Sequence, residues 1–333
     1  MWLRRTSLGA AGIAAAVAGK SVQNAHSYVV RRRELQLAAP SSPNASQLRI
    51  LHISDPHLTA WHHQRGKFLS SLAELAPDLV VVTGDLLATA PALPLLLDSI
   101  TELLDLPGAF VFGSNDYYSA KPKDPTIYLR RNTSHRGEKT SDLPTEELRQ
   151  HLVDSGWLDL NNTRARVTAG GWEIELSGVN DPHMAADHYP ERARATEKDA
   201  ACHPGTVDLR IGLSHAPYQH VLDQMHADGC DLVFCGHTHG GQVCLPGQRA
   251  LVTNCDLPPR YASGIFPWPL NSDLGNQYPL LGDGRAPASE ITAEARPMWV
   301  QVSAGIGTSP FTPFRVFCPP EAIVLDVVAD QLV

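Results

Sequence analysis

The sequence predicts an α/β fold in which buried strands alternate with helices. Short apolar runs have the length and composition of buried strands, and the segments between several of them carry leucines at helical spacing. Polar residues follow directly after these runs, and open α/β sheets place their functional sites at the carboxyl ends of strands. We therefore expect a sheet-based domain with a polar site at the strand ends.

The first half of the chain contains three predicted strands, which span residues 48–54, 78–83 and 109–112. Apolar residues recur at helical spacing in two segments, residues 68–75 and 93–104. Pro77 closes the first of these helices. A further helix is predicted over residues 145–154 and ends near Gly156.

The second half begins with a predicted hairpin, in which strands at residues 164–167 and 172–177 flank Gly170-Gly171. Residues 178–182, Gly-Val-Asn-Asp-Pro, have the composition of a turn. The remaining strands are expected at residues 210–213, 231–235, 299–302 and 323–328, with a helix over residues 218–225.

Seven side chains that can bind a metal follow the predicted strands: Asp55, His57, Asp85, Asn115, His215, His237 and His239. Each alone has an ordinary explanation, such as a turn residue or a buried histidine. A mixed set of this size exceeds the four ligands of a tetrahedral zinc ion. It suits two ions about 4 Å apart that share a carboxylate. Because the set contains no cysteine, Mn²⁺, Fe or Zn²⁺ is expected.

The pair His237 and His239 stands two residues apart, directly after the predicted strand at residues 231–235. In extended backbone this spacing points both imidazoles the same way, so that they can converge on neighbouring points. A pair of solvated loop histidines is the alternative for this motif taken by itself.

The composition is that of a globular protein, with 27 Lys and Arg against 35 Asp and Glu and a formal net charge of −8. Because this balance lacks a basic bias, nucleic acid is not expected as a main partner. The six cysteines lie in the second half and form no Cys-x-x-Cys pair, which favours buried free thiols over a disulfide framework. Such usage favours a reducing compartment.

Residues 1–46 are expected to form a segment and linker separate from the folded domain, which spans residues 47–333. Arg4-Arg5 precede an apolar run over residues 7–19 that is too short to span a bilayer. The pattern is typical of an export signal, of a weak membrane anchor with flanking basic residues such as Arg31-Arg32-Arg33, or of a disordered tail. A cytoplasmic or membrane-associated location is favoured, with export as the alternative.

Two arginines are candidate substrate-binding residues. Arg130 belongs to a polar segment, residues 117–144, whose basic side chains would attract an anionic substrate. The alternative is a solvated insert without a role in binding. Arg315 lies in a late loop from which it could reach a substrate phosphate, and a structural ion pair is the alternative.

Five ordered blocks resemble the signature of the calcineurin-like metallophosphoesterase superfamily: Asp-x-His at 55–57, Gly-Asp at 84–85, Gly-Ser-Asn-Asp at 113–116, Ser-His at 214–215 and Gly-His-x-His at 236–239. The resemblance extends from Leu48 to the end of the chain. It implies a four-layer α/β/β/α sandwich with two mixed β-sheets packed face to face. The longer block Gly-His-Thr-His-Gly-Gly-Gln-Val resembles a bacterial branch of membrane-associated phosphodiesterases, which includes enzymes that cleave the pyrophosphate of UDP-diacylglucosamine.

The resemblance also implies roles for the candidate ligands. Asp55, His57 and His239 would hold one metal ion. Asn115, His215 and His237 would hold the other, and Asp85 would bridge the two.

The third block departs from the Gly-Asn-His-Asp that is usual in the family. Aligned without a gap, Ser114 falls at the ligand position and Asn115 replaces the catalytic histidine. With one inserted residue, Asn115 is the ligand and Asp116 takes the place of the histidine. We prefer the second alignment, because an amide oxygen is a better donor than a serine hydroxyl. The predicted catalytic residues are then Asp85, Asn115, Asp116 and His215.

The expected function is hydrolysis of a phosphodiester or pyrophosphate bond through a hydroxide that bridges two divalent metal ions. The expected substrate is a phosphorylated small molecule or a lipid-linked one, with peripheral membrane contact through the N-terminal segment. The alternative is a catalytically weak, metal-binding scaffold on the same fold.

Overall fold

The computed structural model describes residues 19–37, 47–122, 141–191, 207–270 and 297–329, which form two six-stranded sheets and a small hairpin. The first sheet has the spatial order β1 (Val29–Leu37), β14 (Glu321–Ala329), β2 (Gln47–Ile53), β3 (Leu79–Val82), β4 (Gly108–Phe110) and β5 (Leu158–Asp159). The second has the order β12 (Gly264–Trp268), β13 (Met298–Val302), β9 (Leu232–Cys235), β8 (Leu209–Ser214), β7 (Trp172–Gly178) and β6 (Arg164–Ala169). The hairpin consists of β10 (Cys244–Leu245) and β11 (Arg249–Ala250).

Both sheets are mixed, with a parallel centre. Strands β2 to β5 run parallel to one another, while β14 is antiparallel to β2 and parallel to β1. In the second sheet β13, β9, β8 and β7 are parallel, and β12 and β6 are antiparallel edges. Because parallel strands end at the same edge of a sheet, each sheet gathers several strand ends at one edge.

Residues 19–24 are helical, and they are followed along the chain by α1 (His63–Ser71), α2 (Leu93–Leu104), α3 (Ser114–Tyr117), α4 (Thr145–Asp154) and α5 (Gln219–Ala227). Short 3₁₀ turns span Leu72–Leu75, Ala90–Ala92, Pro182–Met184, His239–Gly241 and Pro259–Tyr261. The predictions for residues 93–104 and 145–154 are confirmed by α2 and α4. The helix predicted at residues 68–75 is instead the end of α1 followed by a 3₁₀ turn, which stops where Ala76 adopts a left-handed backbone before Pro77.

The layers follow from which side chains share a core. Residues from the inner faces of both sheets, such as Leu79, Val81, Ile174 and Ile211, form a single buried cluster, so the sheets pack face to face. The outer face of the first sheet packs against α1, α2 and α4, and that of the second packs against α5. The four-layer α/β/β/α fold is confirmed. Strand β3 (Leu-Val-Val-Val) is apolar throughout because both of its faces are buried.

The sheet begins before the predicted domain boundary. Strand β1 pairs along its whole length with β14, at the far end of the chain. Within it Arg31 forms an ion pair with Glu321, and the Arg33 side chain is buried. The expected boundary between residues 46 and 47 is therefore wrong: residues 29–37 are part of the sheet, because their backbone completes the edge that β14 would otherwise leave open.

The five described cysteines are all free, and four of them are buried, as the sequence predicts. Residue 202 lies outside the described part of the chain. Within that part, no helix combines the length and the apolar character that crossing a bilayer requires.

Candidate metal centre

Six of the seven predicted ligands lie at strand ends from both sheets and converge on one place. Asp55 and His57 follow β2, Asp85 follows β3, His215 follows β8, and the pair at 237 and 239 follows β9. The shortest contacts between facing ring nitrogens are 3.1 Å from His57 Nε2 to His239 Nε2 and 3.3 Å from His237 Nδ1 to His215 Nε2.

The carboxylates lie between these rings. Asp85 Oδ2 is 3.4 Å from His57 Nε2, and Asp85 Oδ1 is 3.6 Å from His215 Nε2. Asp55 Oδ1 is 3.7 Å from His239 Nε2. Two groups have potential ligand atoms that all lie within 4.8 Å of one another: Asp55, His57 and His239, and Asp55, Asp85 and His215. Imidazole nitrogens and carboxylate oxygens at this spacing are able to hold divalent cations.

The histidines are oriented by their second nitrogens. His215 Nδ1 lies 2.6 Å from Thr83 O, His239 Nδ1 lies 3.1 Å from Gly307 O, and His237 Nε2 lies 3.2 Å from Asn254 O. A carbonyl oxygen only accepts, so each contact is a hydrogen bond when the ring nitrogen carries a proton; His237 Nε2 also lies 3.3 Å from Asn254 Nδ2, and His239 Nδ1 lies 3.4 Å from Arg315 Nη2. A neutral ring in that tautomer presents the lone pair of its opposite nitrogen to the site, which is the arrangement of metal-binding histidines.

The backbone at the site is unusual. Asp55, His57, Asp85, His237 and His239 all have positive φ, between 43° and 68°. Residues other than glycine rarely adopt this left-handed region, and such strain concentrates at functional sites. The expectation that His237 and His239 stand on extended backbone is wrong: the tight turn after β9 directs their rings to different partners.

Two glycines allow the strand ends to approach each other. A Cβ atom on Gly113 would lie 2.4 Å from Asp85 Oδ1 and 2.5 Å from His215 Cε1. A Cβ atom on Gly236 would lie 1.8 Å from Ser54 Oγ and 2.5 Å from Asp55 Oδ2. Both positions therefore require glycine, because any side chain would occupy the space of the carboxylates.

Burial and charge set the protonation of the site. Burial lowers the pKa of His57 to about 4 and holds the pKa values of His237 and His239 well below their ordinary range. These rings are therefore neutral at pH 7, as metal ligands must be. Burial would also lower the pKa of His215, but Asp85, Asp181 and Asp55 together raise it to about 10. The Asp85 pKa is lowered: burial opposes ionisation, but His215, His57 and hydrogen bonds from Asn115 favour the carboxylate.

A buried chain of hydrogen bonds orients Asp55. His52 Nε2 lies 2.9 Å from Thr83 Oγ1, which donates to Ser54 Oγ at 2.7 Å, and Ser54 Oγ donates to Asp55 Oδ2. The backbone N–H of His237 donates to the same oxygen at 3.0 Å. With Oδ2 occupied in this way, Asp55 Oδ1 faces the site.

The residues of the third block occupy two different environments. Asn115 lies at the site, where its backbone N–H donates to Asp85 Oδ1 at 2.7 Å and its Nδ2 donates to Asp85 Oδ2 at 2.9 Å. Asp116 is fully buried, and its carboxylate accepts from the backbone N–H groups of Asp85, Leu86 and Gly113. The prediction of Asp116 as a catalytic residue in the place of a histidine is therefore wrong, because both of its oxygens are used to hold the loops that carry Asp85 and Asn115.

Arg315 is fully buried rather than available to a substrate. Its Nη2 donates to the carbonyl oxygens of Ala304, Gly305 and Gly307 at 2.7, 3.1 and 2.6 Å. Gly307 O also accepts from His239, so the guanidinium supports the loop that orients this ring. The prediction of Arg315 as a substrate-binding residue is wrong, since the side chain is fully buried and its Nη2 is held by backbone carbonyl oxygens. Arg130 lies outside the described residues.

One acidic residue at the strand ends was missed by the sequence reasoning. Asp181 follows β7, is fully buried, and affects the pKa of His215. Its segment was recognised only as a turn. The rule that sites gather after strands could have identified it, since the strand at residues 172–177 was predicted.

Comparison with known proteins places the chain in a family. The family model for calcineurin-like phosphoesterases matches residues 48–241. The chain is 28% identical over 204 residues to the uncharacterised protein YpbG of Bacillus subtilis (strain 168), covering 59% of this chain and 62% of that protein. It is 27% identical over 265 residues to the UDP-2,3-diacylglucosamine pyrophosphatase LpxG of Chlamydia trachomatis serovar D, covering 68% of this chain and 75% of the relative.

Among solved structures, the chain resembles a 5′-nucleotidase precursor from Thermus thermophilus, with a TM-score of 0.43 and 12% identity. That likeness covers 85% of this chain and 54% of the solved chain, and it is too weak to bear on the site. The family model, by contrast, spans the strands that carry the converging aspartates and histidines. The chain spans less than two thirds of the length of the Bacillus subtilis relative, and by the family model it belongs to the calcineurin-like phosphoesterase family.

Proposed function

We propose that the protein hydrolyses a phosphodiester or pyrophosphate bond with two divalent cations, Mn²⁺, Fe or Zn²⁺. The observation that carries this proposal is the position of Asp85, whose two oxygens face different histidines. Oδ2 faces His57 from the first sheet, and Oδ1 faces His215 from the second. A carboxylate placed in this way can be shared by two ions about 4 Å apart.

In this proposal Asp55, His57 and His239 hold one cation, while His215, His237 and Asn115 belong to the other. When bound, such a pair of cations lowers the pKa of water and stabilises charge on phosphoryl oxygens. Burial keeps His57, His237 and His239 neutral, and backbone carbonyl oxygens orient the rings of His215 and His239. Asn115 keeps both oxygens of Asp85 in place, which makes it a positioning residue as well as a candidate ligand.

The site favours substrates whose leaving group needs no proton. Asn115 carries an amide that cannot act as an acid, and Asp116 is turned away into backbone hydrogen bonds. A general acid contributes about 10²-fold or more to the departure of a poor leaving group. A phosphate leaving from a pyrophosphate, or an aryl oxide from a diester, departs without that help.

Exposed apolar side chains next to the site support a lipid-linked substrate and peripheral membrane contact. We call six of them the apolar rim: Val243, Leu245, Leu251, Phe311, Phe314 and Phe317. The two segments that carry the rim are joined by a bridge between Val243 and Val316 and by Gln242, which donates to Thr312 O and Phe314 O. Gln242 directly follows the turn of His239, so the rim adjoins the metal centre.

An exposed surface with this many large apolar side chains marks an interaction site more often than bare solvent contact. The relative from Chlamydia trachomatis is named as a pyrophosphatase of UDP-2,3-diacylglucosamine, a lipid-linked pyrophosphate. The Gly-His-Thr-His-Gly-Gly-Gln-Val block supports the same membrane-associated branch. We therefore propose that the rim meets acyl chains while the phosphoryl group lies at the metal centre.

Hydrolysis assays with the Mn²⁺-loaded protein test the reaction class. We expect hydrolysis of bis-p-nitrophenyl phosphate and of a nucleotide-sugar pyrophosphate, and loss of both activities with EDTA. An alkyl phosphate ester should react about 10²-fold more slowly than an aryl ester, beyond the ordinary difference in reactivity, because among the described residues neither Asn115 nor Asp116 replaces the catalytic histidine as a proton donor. A protein that binds the cations but cleaves none of these substrates would support the scaffold alternative.

Vesicle binding tests the apolar rim. Replacing both Phe311 and Phe317 with serine should weaken co-sedimentation with phosphatidylcholine–phosphatidylglycerol vesicles by about 10-fold or more, because burying each phenyl ring is worth about 1.5 kcal/mol or more. Val153→Ser is the matched control, since Val153 is also exposed but lies on α4, outside the rim. Equal vesicle binding by the double variant and the wild type would remove membrane contact from the proposal.

A further inference from the structure

The strand ends that form the metal centre include one more carboxylate, that of Asp181. Strand β7 runs parallel to β8, with Gly178 opposite Leu213, and the backbone N–H of Val179 donates to Leu213 O at 3.2 Å. The chain therefore leaves β7 beside the end of β8, where His215 stands. Asp181 belongs to the same edge of the second sheet as His215, His237 and His239.

Only one of the two carboxylate oxygens of Asp181 accepts a hydrogen bond from the described residues. Its Oδ1 accepts from the backbone N–H of His183 at 2.8 Å, which caps the 3₁₀ turn Pro182–Met184. Its Oδ2 is buried and has no partner within hydrogen-bond distance among the described residues. The backbone N–H of Ser114 lies near enough to favour the ionised carboxylate, but burial dominates and raises the Asp181 pKa to about 7. Burying an ionised oxygen without a partner costs several kcal/mol, whereas a bound cation removes that cost.

We call the residues proposed for each cation a half-site: Asp55, His57 and His239 form the first, and His215, His237 and Asn115 form the second. The loop of Asp181 lies between two parts of the second half-site. On one side the His183 ring lies 4.5 Å from the His237 ring, centroid to centroid. On the other side the Tyr117 hydroxyl, from the helical turn that begins at Ser114, donates to Asn180 Oδ1 at 3.1 Å. Asp181 is also near enough to His215 and Asp85 for their charges to interact.

The two half-sites differ in their acidic ligands. The cation beside His57 and His239 would have Asp55 as well as the shared Asp85. The cation beside His215 and His237 would have Asp85 as its one acidic ligand, since its other candidate ligand, Asn115, is a neutral amide. A divalent cation held by carboxylates and imidazoles gains from a further negative oxygen. Asp181 has a buried, unpartnered carboxylate oxygen that could provide it, and its charge interacts with those of His215 and Asp85.

We propose that Asp181 binds the second cation through Oδ2, together with His215, His237 and Asp85. The inference rests on the proposed dinuclear function and adds a ligand to it. Neither Asp181 nor His237 belongs to the two groups whose donor atoms lie within 4.8 Å of one another. In this proposal the Gly-Val-Asn-Asp-Pro turn contributes a ligand to the metal centre through Asp181.

The test uses Asp181→Asn, because this change separates a ligand from a helix cap. Asparagine keeps an oxygen for the His183 N–H and is itself a good capping residue, so the turn and the fold are preserved. It removes the charge that would attract the cation. Asp187→Asn is the matched control: it lies six residues further along the same loop and contacts His220 at 2.8 Å.

Mass spectrometry measures the number of cations bound per chain. Calorimetric titration with Mn²⁺ measures the affinity of each. We expect about two cations per chain in the wild type and in Asp187→Asn. In Asp181→Asn one cation is retained, and the affinity for the other falls by about 10-fold or more. The melting temperature of the metal-free variant should equal or exceed that of the wild type, and the rise caused by Mn²⁺ should be smaller.

Asp181→Asn with two cations bound at unchanged affinity would overturn the inference and leave Asp181 as a cap. That result would leave the proposed function intact. A wild-type protein that binds no divalent cation would overturn the dinuclear proposal and this inference together. A variant with a lower metal-free melting temperature and unchanged Mn²⁺ affinity would identify Asp181 as structural and would also overturn the inference.

Discussion

Replacing Asp85 with asparagine should abolish the dinuclear centre, with the metal content falling from about two cations per chain to about one or fewer. The reason is the position of the carboxylate, whose two oxygens lie 3.4 and 3.6 Å from histidines of opposite half-sites. Without its charge the two cations repel each other across the centre. We expect diesterase kcat to fall about 10³-fold, the scale of losing preorganised charge stabilisation.

Mass spectrometry of the bound metal and kinetics with bis-p-nitrophenyl phosphate measure the two effects on the same sample. Asp187→Asn, with its carboxylate on His220, is the control for loss of an acidic side chain away from the centre. Because the ionised Asp85 is paired with His215, whose pKa it raises, the metal-free variant should be less stable than the metal-free wild type, and metal content is therefore compared on folded protein. A variant that retains both cations and full activity would show that Asp85 does not bridge them.

Replacing Arg315 with methionine should destabilise the protein even without metal. The guanidinium is fully buried and donates to three carbonyl oxygens on the loop that follows β13. Methionine fills similar space but leaves those oxygens unpaired inside the protein. Each hydrogen bond from a charged donor is worth about 1.5 kcal/mol or more, so we expect a loss of about 3 kcal/mol or more in the free energy of unfolding.

Urea unfolding of the metal-free protein measures this loss. Arg260→Met is the matched control: Arg260 is exposed, stands over the Tyr261 ring, and should cost about 1 kcal/mol or less. The two roles considered for Arg315 give opposite results. A structural role lowers the metal-free stability, whereas a substrate-binding role would raise KM and leave the metal-free stability unchanged.

Several parts of the fold could be predicted because their signals are local. The leucines of α2 recur at helical spacing, and the predicted bounds coincide with the observed helix. Strand β3 consists of one leucine and three valines, and all four residues are buried. Such a short apolar run is typical of a strand that is buried on both faces. The polar blocks after the strands identified the candidate ligands for the same reason, since parallel strand ends share an edge.

Other features depend on contacts between distant parts of the chain. The segment Val-Val-Arg-Arg-Arg-Glu-Leu-Gln-Leu resembles a basic flanking region, and only its partner β14 makes it a strand. Arg33 is buried there, near enough to Glu321 on β14 for their charges to interact. No local pattern carries that information, because the pairing joins the two ends of the chain.

The sequence by itself determined the family signature, the alternation of strands and helices, and the aspartates and histidines that converge at the strand ends. Only the tertiary structure decided what the remaining polar residues do. The side chains of Asp116 and Arg315 form hydrogen bonds with backbone groups of other loops. The pairing of β7 with β8 brings Asp181 close to His215. The physical reason is that a buried charge takes its role from whichever partner lies within hydrogen-bond distance, and that partner is set by packing rather than by neighbours in the chain.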